Sequence, residues 1–298
     1  MWIVYVIFSA LLLGVYDVFK KVSVTENAVL PVLFISSLVQ LVIFLPLIVA
    51  SHYQIGFSPG DLMYIPFTGL HTQILIFLKT CLVMASWVCS FFALKNLPIS
   101  IVGPIRSTSP VWTLFGAIFL LGERLTMLQW IGIVVVFASI YSYSLIGKRE
   151  GIVFAKNKWI ILVFLATLFG AASGLYDKYL IAEVGVHRME VQAWFSIYQS
   201  FILLPFVYFL WWPKRRIFPF SWKWSIPCIG VFLILSDFFF FYALSHDGAL
   251  ISVISLVRRS SIVISFLSGL FLFKERYIVP KGIALIGVIA GVVLLYLA

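Results

Sequence analysis

The sequence predicts an all-α membrane protein of ten transmembrane helices, built as two inverted five-helix repeats. Three observations lead there. Of 298 residues, 63% are hydrophobic and 11% charged, and the apolar residues gather into runs of about 20, the length that crosses a bilayer as a helix. One shift in composition interrupts these runs at the midpoint, where Gly147-Lys148-Arg149-Glu150-Gly151 is followed by Lys156 and Lys158. Short motifs that precede this linker return after it in the same order.

Spans are expected at about 2–21, 30–50, 73–94, 97–121, 126–146, 159–181, 189–211, 224–245, 248–273 and 278–298. The first repeat is 1–146, the basic linker 147–158 and the second repeat 159–298. The first span has no charged leader and no small-residue cleavage site, so it is expected to stay in the chain. It carries Gly14-Val15-Tyr16-Asp17, which returns in the sixth span as Gly174-Leu175-Tyr176-Asp177. In the second span Ser37, Gln40 and Pro46 match Ser196, Gln199 and Pro205 of the seventh, at the same spacing. The third ends in Phe92-Ala93-Leu94, the eighth in Tyr242-Ala243-Leu244. In the fourth, Ile99-Ser100-Ile101-Val102 and then Arg106 echo Ile251-Ser252-Val253-Ile254 and then Arg258 in the ninth. Glu123-Arg124 and Glu275-Arg276 follow. The odd number of helices in each repeat inverts the second copy in the membrane, a plan of secondary transporters whose sites lie near the midplane between repeats.

Charge inside the spans is the strongest functional signal. Arg258 and Arg259 sit in the middle of an apolar run, and each would cost roughly 2.5–3.5 kcal/mol at a helix centre, so intramembrane arginines mark sites. Arg106 enters from the opposite side, and the two repeats should bring it towards Arg258. Lys79, near a span end, is expected to snorkel to the interface. Asp17 and Asp177, also near span ends, are expected to be solvated or to interact with neighbouring Lys20 and Lys178. Asp237 alone is placed to neutralise an arginine in the bundle, which leaves an excess of fixed positive charge. Neighbours on a helix point about 100° apart, so one of Arg258 and Arg259 faces Asp237 and the other the substrate; Arg258, with its counterpart Arg106, is assigned to the substrate. Guanidinium groups match carboxylate or phosphate oxygens in bidentate fashion, and Ser107 and Ser255 stand among the hydroxyls able to assist. Tyr16, Tyr176, Gln40 and Gln199 complete the candidate lining. Pro104, two residues before Arg106, is the candidate gating bend. The Glu of each turn after the fourth and ninth spans is read as a cap for the helix that follows.

Basic residues fix an expected orientation. Fourteen Lys and Arg lie in the loops after the odd-numbered spans and three, Arg124, Lys178 and Arg188, on the other face. The positive-inside rule then puts both termini outside the cell. A net charge of +10 is accounted for in this way, and no basic domain exists to hold nucleic acid. His52, His71, His187 and His246 are scattered, and Cys81, Cys89 and Cys228 lack ligand spacing, so no metal and no cofactor are expected.

The duplication together with Gly122-Glu123-Arg124 and Lys274-Glu275-Arg276 resembles the drug/metabolite transporter superfamily, EamA type. The resemblance implies a carrier of small metabolites in a bacterial inner membrane, with a cavity lined by helices one to four and six to nine. Helices five and ten would be peripheral, which suits their apparent lack of charge. It also implies termini on the inside, against the charge count. The Arg258-Arg259 pair is similar to the ninth-helix basic pair of plastid sugar-phosphate translocators, which implies a phosphate ligand, with Arg106 as the matching residue from the first half. The reading is therefore a secondary transporter of a small anionic, phosphorylated metabolite, working by anion exchange or proton coupling, with the bilayer and the substrate as its partners and a monomer as sufficient unit. The alternatives are export of amino acids or amphipathic drugs and, from another class, a lipid-headgroup flippase or membrane enzyme. An enzyme is not expected, because no nucleotide loop, HExxH site or nucleophile elbow is present.

Overall fold

The computed structural model describes residues 2–56, 61, 63–66, 69–112, 115, 126–244 and 257–297. It is all-helical, with no strand among the described residues. In a bilayer a helix satisfies its own backbone donors and acceptors, which is why long apolar runs take this form. The helices are α1 (Trp2–Val24), α2 (Val29–His52), α3 (Leu70–Asn96), α4 (Ile99–Ser107), α5 (Met127–Arg149), α6 (Lys158–Lys178), α7 (Arg188–Phe206), α8 (Ser225–Leu244), α9 (Ser261–Phe271) and α10 (Ile278–Tyr296). Short π and 3₁₀ turns prolong α6 and α7. Seven of them, α1, α2, α3, α5, α6, α7 and α10, are long and apolar enough to cross a membrane, and α8 holds a shorter apolar stretch, Ser225–Phe240. The described parts of α4 and α9 are shorter than a bilayer, so ten crossings remain an expectation.

Local sequence sets the boundaries. Thr126 and Gln129 form a reciprocal capping box at the start of α5. Asn157 caps α6 by accepting from the Trp159 N–H at 2.9 Å. Between α3 and α4, Leu97 and Pro98 are extended, as the residue before a proline prefers, and this makes a sharp elbow.

Packing crosses between the halves. α1 runs along α8, and α3 along α6; exchanging one half for the other turns the first pair into the second. The pairs α2 with α7, α4 with α9 and α5 with α10 each map onto themselves. Within α1 and α8 the partners run in opposite order: Ser9 meets Ser236, Phe19 meets Phe232 and Ser23 meets Ser225. α3 and α6 repeat this, with Lys79 beside Asp177 and Ser86 donating to the Ala166 carbonyl.

α5 and α10 approach closely at glycines. A Cβ on Gly291 would lie 2.7 Å from Val136 Cγ2 and 2.9 Å from the Gly132 carbonyl oxygen. Small residues at such spacing are how helices meet inside lipid, where no hydrophobic drive separates them from their solvent. The expected absence of charge on α10 is corrected here. Lys281 is fully buried, 2.9 Å from Glu150 and 3.8 Å from Glu275. Its position three residues into the helix brings it under the end of α5, where Tyr143 donates to its carbonyl at 2.8 Å.

Candidate functional site

α4 and α9 break at equivalent points. In α4 the Ile105 carbonyl accepts from Thr108 N at 3.2 Å and Thr108 Oγ1 at 2.7 Å, and Val111 N then donates to Thr108 O. Leading into α9, the Val257 carbonyl accepts from Ser260 N at 3.0 Å and Ser260 Oγ at 2.7 Å, and Val263 N donates to Ser260 O. Each interruption is a tightened turn whose hydroxyl satisfies the carbonyl three residues back. One residue after each accepting carbonyl comes an arginine, Arg106 or Arg258.

Helix α4 is continuous across Pro104, so the interruption falls at Thr108, after Arg106 and ahead of Pro110, four residues later than the bend expected at Pro104. Proline is not its sole cause, since α9 has the same turn with Ile262 where α4 has Pro110. The matching hydroxyls Thr108 and Ser260 were the signal available in the sequence.

Each arginine meets an aspartate. Arg258 donates from Nη2 to Asp237 Oδ1, and its guanidinium lies 4.1 Å from the Phe240 ring centroid. This corrects the expected division of labour: Arg258, assigned to the substrate, engages Asp237, and Arg259 is half-buried beside it. Arg106 Nη1 is 3.8 Å from Asp17 Oδ1, and the same oxygen accepts from Lys20 Nζ at 3.0 Å. Lys20 is buried, its ammonium 4.6 Å from the Tyr16 ring and 5.0 Å from Phe91. Lys20 was legible as the residue three after Asp17, one turn on along the same helix face.

Lys79 does not snorkel. It is buried and pairs with Asp177 at 2.6 Å, with its ammonium 5.3 Å from Phe195. The packing of α3 along α6 supplies an acid that neighbouring sequence could not reveal; the Lys178 side chain, the expected partner, lies outside the described residues. Close by, Gln73 donates to Glu190 at 3.2 Å and accepts from the Tyr198 hydroxyl at 2.8 Å. Glu190, fully buried in the first turn of α7, was missed by sequence reasoning.

Arg106 and Arg258 sit at different depths. By a rise of 1.5 Å per residue, Arg106 is about 10 Å from the face where α4 begins and Arg258 about 20 Å from the same face, where α9 ends. Tyr16 is buried one residue before Asp17, with its ring against the Lys20 ammonium. Its counterpart Tyr176 is half-buried beside Tyr179. Gln40 and Gln199 are buried in the facing helices α2 and α7 with amide atoms that find no partner among the described residues. Ser107 turns back onto the Pro104 carbonyl at 2.8 Å. Ser255, like Glu123, Arg124, His246 and Asp247, lies outside the described residues.

Glu275 caps a helix, though not the one that follows it. Its carboxylate accepts from Ile99 N at 2.8 Å, from Ser100 N at 3.3 Å and from Ser100 Oγ, so it closes the N-terminus of α4. No group of three or more His, Cys, Asp or Glu that could hold a metal occurs among the described residues.

The model of the EamA-like transporter family matches residues 1–145 and 157–297. One solved crystal structure of a protein, 15% identical, superposes with a TM-score of 0.61 over 98% of this chain and 96% of that one. That likeness shows the fold. No curated protein matches the chain.

Proposed function

The chain belongs to the EamA-like transporter family, a multi-pass membrane protein that moves small molecules, and from that premise we propose a secondary carrier for a small anionic metabolite. The observation that carries this reading is the pair of interrupted helices, each with an arginine beside its break. Interrupted helices at membrane depth are tolerated where they line a cavity, and they form the substrate sites of inverted-repeat carriers. Among the described residues of the bundle, Lys20, Lys79, Arg106, Arg258 and Arg259 stand against Asp17, Asp177, Asp237 and the buried Glu190. This formal excess of one positive charge fits an anion better than a neutral solute. Arginine keeps its proton in a protein, so an anion or water has to balance the excess.

The aspartates bear on coupling. An empty site in which Arg106 and Arg258 are partly neutralised can reorient without ligand, which favours net transport coupled to a proton over strict exchange. Transport in proteoliposomes should then run under a pH gradient without a counter-anion; a strict need for a counter-anion would return the reading to exchange. A zwitterionic amino acid is the second reading, since the loose Arg106–Asp17 contact offers both signs of charge. Both inverted repeats and termini outside the cell belong to this proposal.

The test is thermal stabilisation of the purified protein by organic phosphates, carboxylates and amino acids, because a ligand of the folded state raises its apparent stability by mass action. Phosphate esters should raise the unfolding temperature of the parent and not of Arg258→Gln. A rise with amino acids alone, retained in Arg258→Gln, would sink the anion reading.

A further inference from the structure

The elbow between α3 and α4 is held by charge at both of its helix ends. Lys21 of α1 donates from Nζ to the Leu94 and Leu97 carbonyls, both at 2.7 Å, at the C-terminus of α3. Glu275 of the second half takes the first N–H groups of α4. A cation at a helix C-terminus and a carboxylate at a helix N-terminus both complement the helix dipole. Lys95, on the elbow, donates to the Asn27 carbonyl at 2.7 Å. Glu275 is itself anchored near Lys281, which Glu150 holds from the linker.

Each of these contacts joins a charged side chain to another element at the edge of the membrane. The Lys21, Lys95 and Glu275 contacts lie at helix ends or in turns, where the groups can be solvated once they part; Lys281, fully buried, stays with Glu150. The antiparallel packing of α1 on α8 and α3 on α6 has no such reversibility. Helix α4 is short, bounded by Pro98 at one end and the turn at Thr108 at the other. Arg106 rides next to that second hinge. A rigid segment between two hinges, gripped at one end, is a lever.

We propose that α4 is the gate on the face of the basic loops, that Lys21 and Glu275 are its latch, and that release of the latch swings Arg106 and opens the site to that face. Ile181 stands at the position of the second half that matches Lys21. The inference rests on the transporter reading of the site, and the experiment below is independent of any substrate.

In a full-length chain with Cys81, Cys89 and Cys228 replaced by alanine, Arg106→Cys reports access to the site; the native side chain there is 30% exposed. A membrane-impermeant maleimide is added to reconstituted vesicles on the side of Lys148. The latch predicts slow labelling from that side, and at least a fivefold faster rate when Glu275→Gln or Lys21→Gln is added. Lys21→Arg, which keeps the donor cation, should label at the slow rate, and this separates an opened latch from a misfolded chain. Equal labelling with and without the latch residues, whether fast or absent, overturns the proposal. Failure of phosphate esters to stabilise the protein would remove the anion reading and leave this result standing.

Discussion

Arg258 holds Asp237 with one amino group while its guanidinium lies over Phe240, and its Nε is buried without a partner among the described residues. Removing either charge leaves the other in the bundle, which costs more than the pair itself contributes. Arg258→Gln and Asp237→Asn should each lower unfolding stability in detergent by about 1.5–3 kcal/mol, the range for hydrogen bonds to charged groups. The double variant should recover part of that loss, and a double-mutant cycle checks it; strictly additive losses would show that the two side chains act separately. At this scale the sequence revealed the costly residues and two of their pairings, an arginine with Asp237 and Asp17 with Lys20, but not the partner of Lys79. An arginine or aspartate in an apolar run is conspicuous by itself. Which acid reaches Lys79 depends on α6 lying along α3, and no residue near Lys79 in the chain carries that information. Lys281 escaped notice because three residues into a span is where a lysine usually reaches water.

Among elements, α5 and α10 approach closely at Gly132, Gly287 and Gly291. Gly291→Leu should force the pair apart and destabilise the protein by about 1–3 kcal/mol, as overpacking does. Ligand-induced stabilisation should persist in that variant, since the arginines sit on other helices. Its loss would place α10 in the transport machinery. Helix existence was legible throughout from apolar length. The breaks in α4 and α9 were not, because the proline signal in α4 sits at Pro104 and Pro110 while the turn is made by Thr108, and α9 achieves the same turn with Ser260 alone. Glu275 was legible as a cap, and its helix was not: a turn after α9 reaches α4 only because these two helices cross.

For the whole molecule, the repeated motifs made the two halves visible in the sequence, and the family model matches 1–145 and 157–297. Orientation is the open molecular property with the sharpest test. A C-terminal fusion to a reporter active only outside the cytoplasm should be active if the fourteen basic loop residues direct insertion; activity of a cytoplasm-dependent reporter at the same terminus would reverse it. Motif repetition could not say which helix touches which. Similarity between halves is satisfied whether each half packs on itself or on its twin, and the structure takes the second course for α1 with α8 and α3 with α6.

That choice bears on ancestry. A single five-helix copy has no α8, so its first helix would need the third helix of another copy, inserted the opposite way up. Such a unit is a homodimer by construction, present in both topologies in one membrane. Joining two copies through a charged linker replaces an encounter in the bilayer with an effective concentration set by tether length. Once the two orientations are fixed in one polypeptide, each copy is free to diverge: Lys21 stands on one side and Ile181 on the other, a difference that identical subunits could never have held.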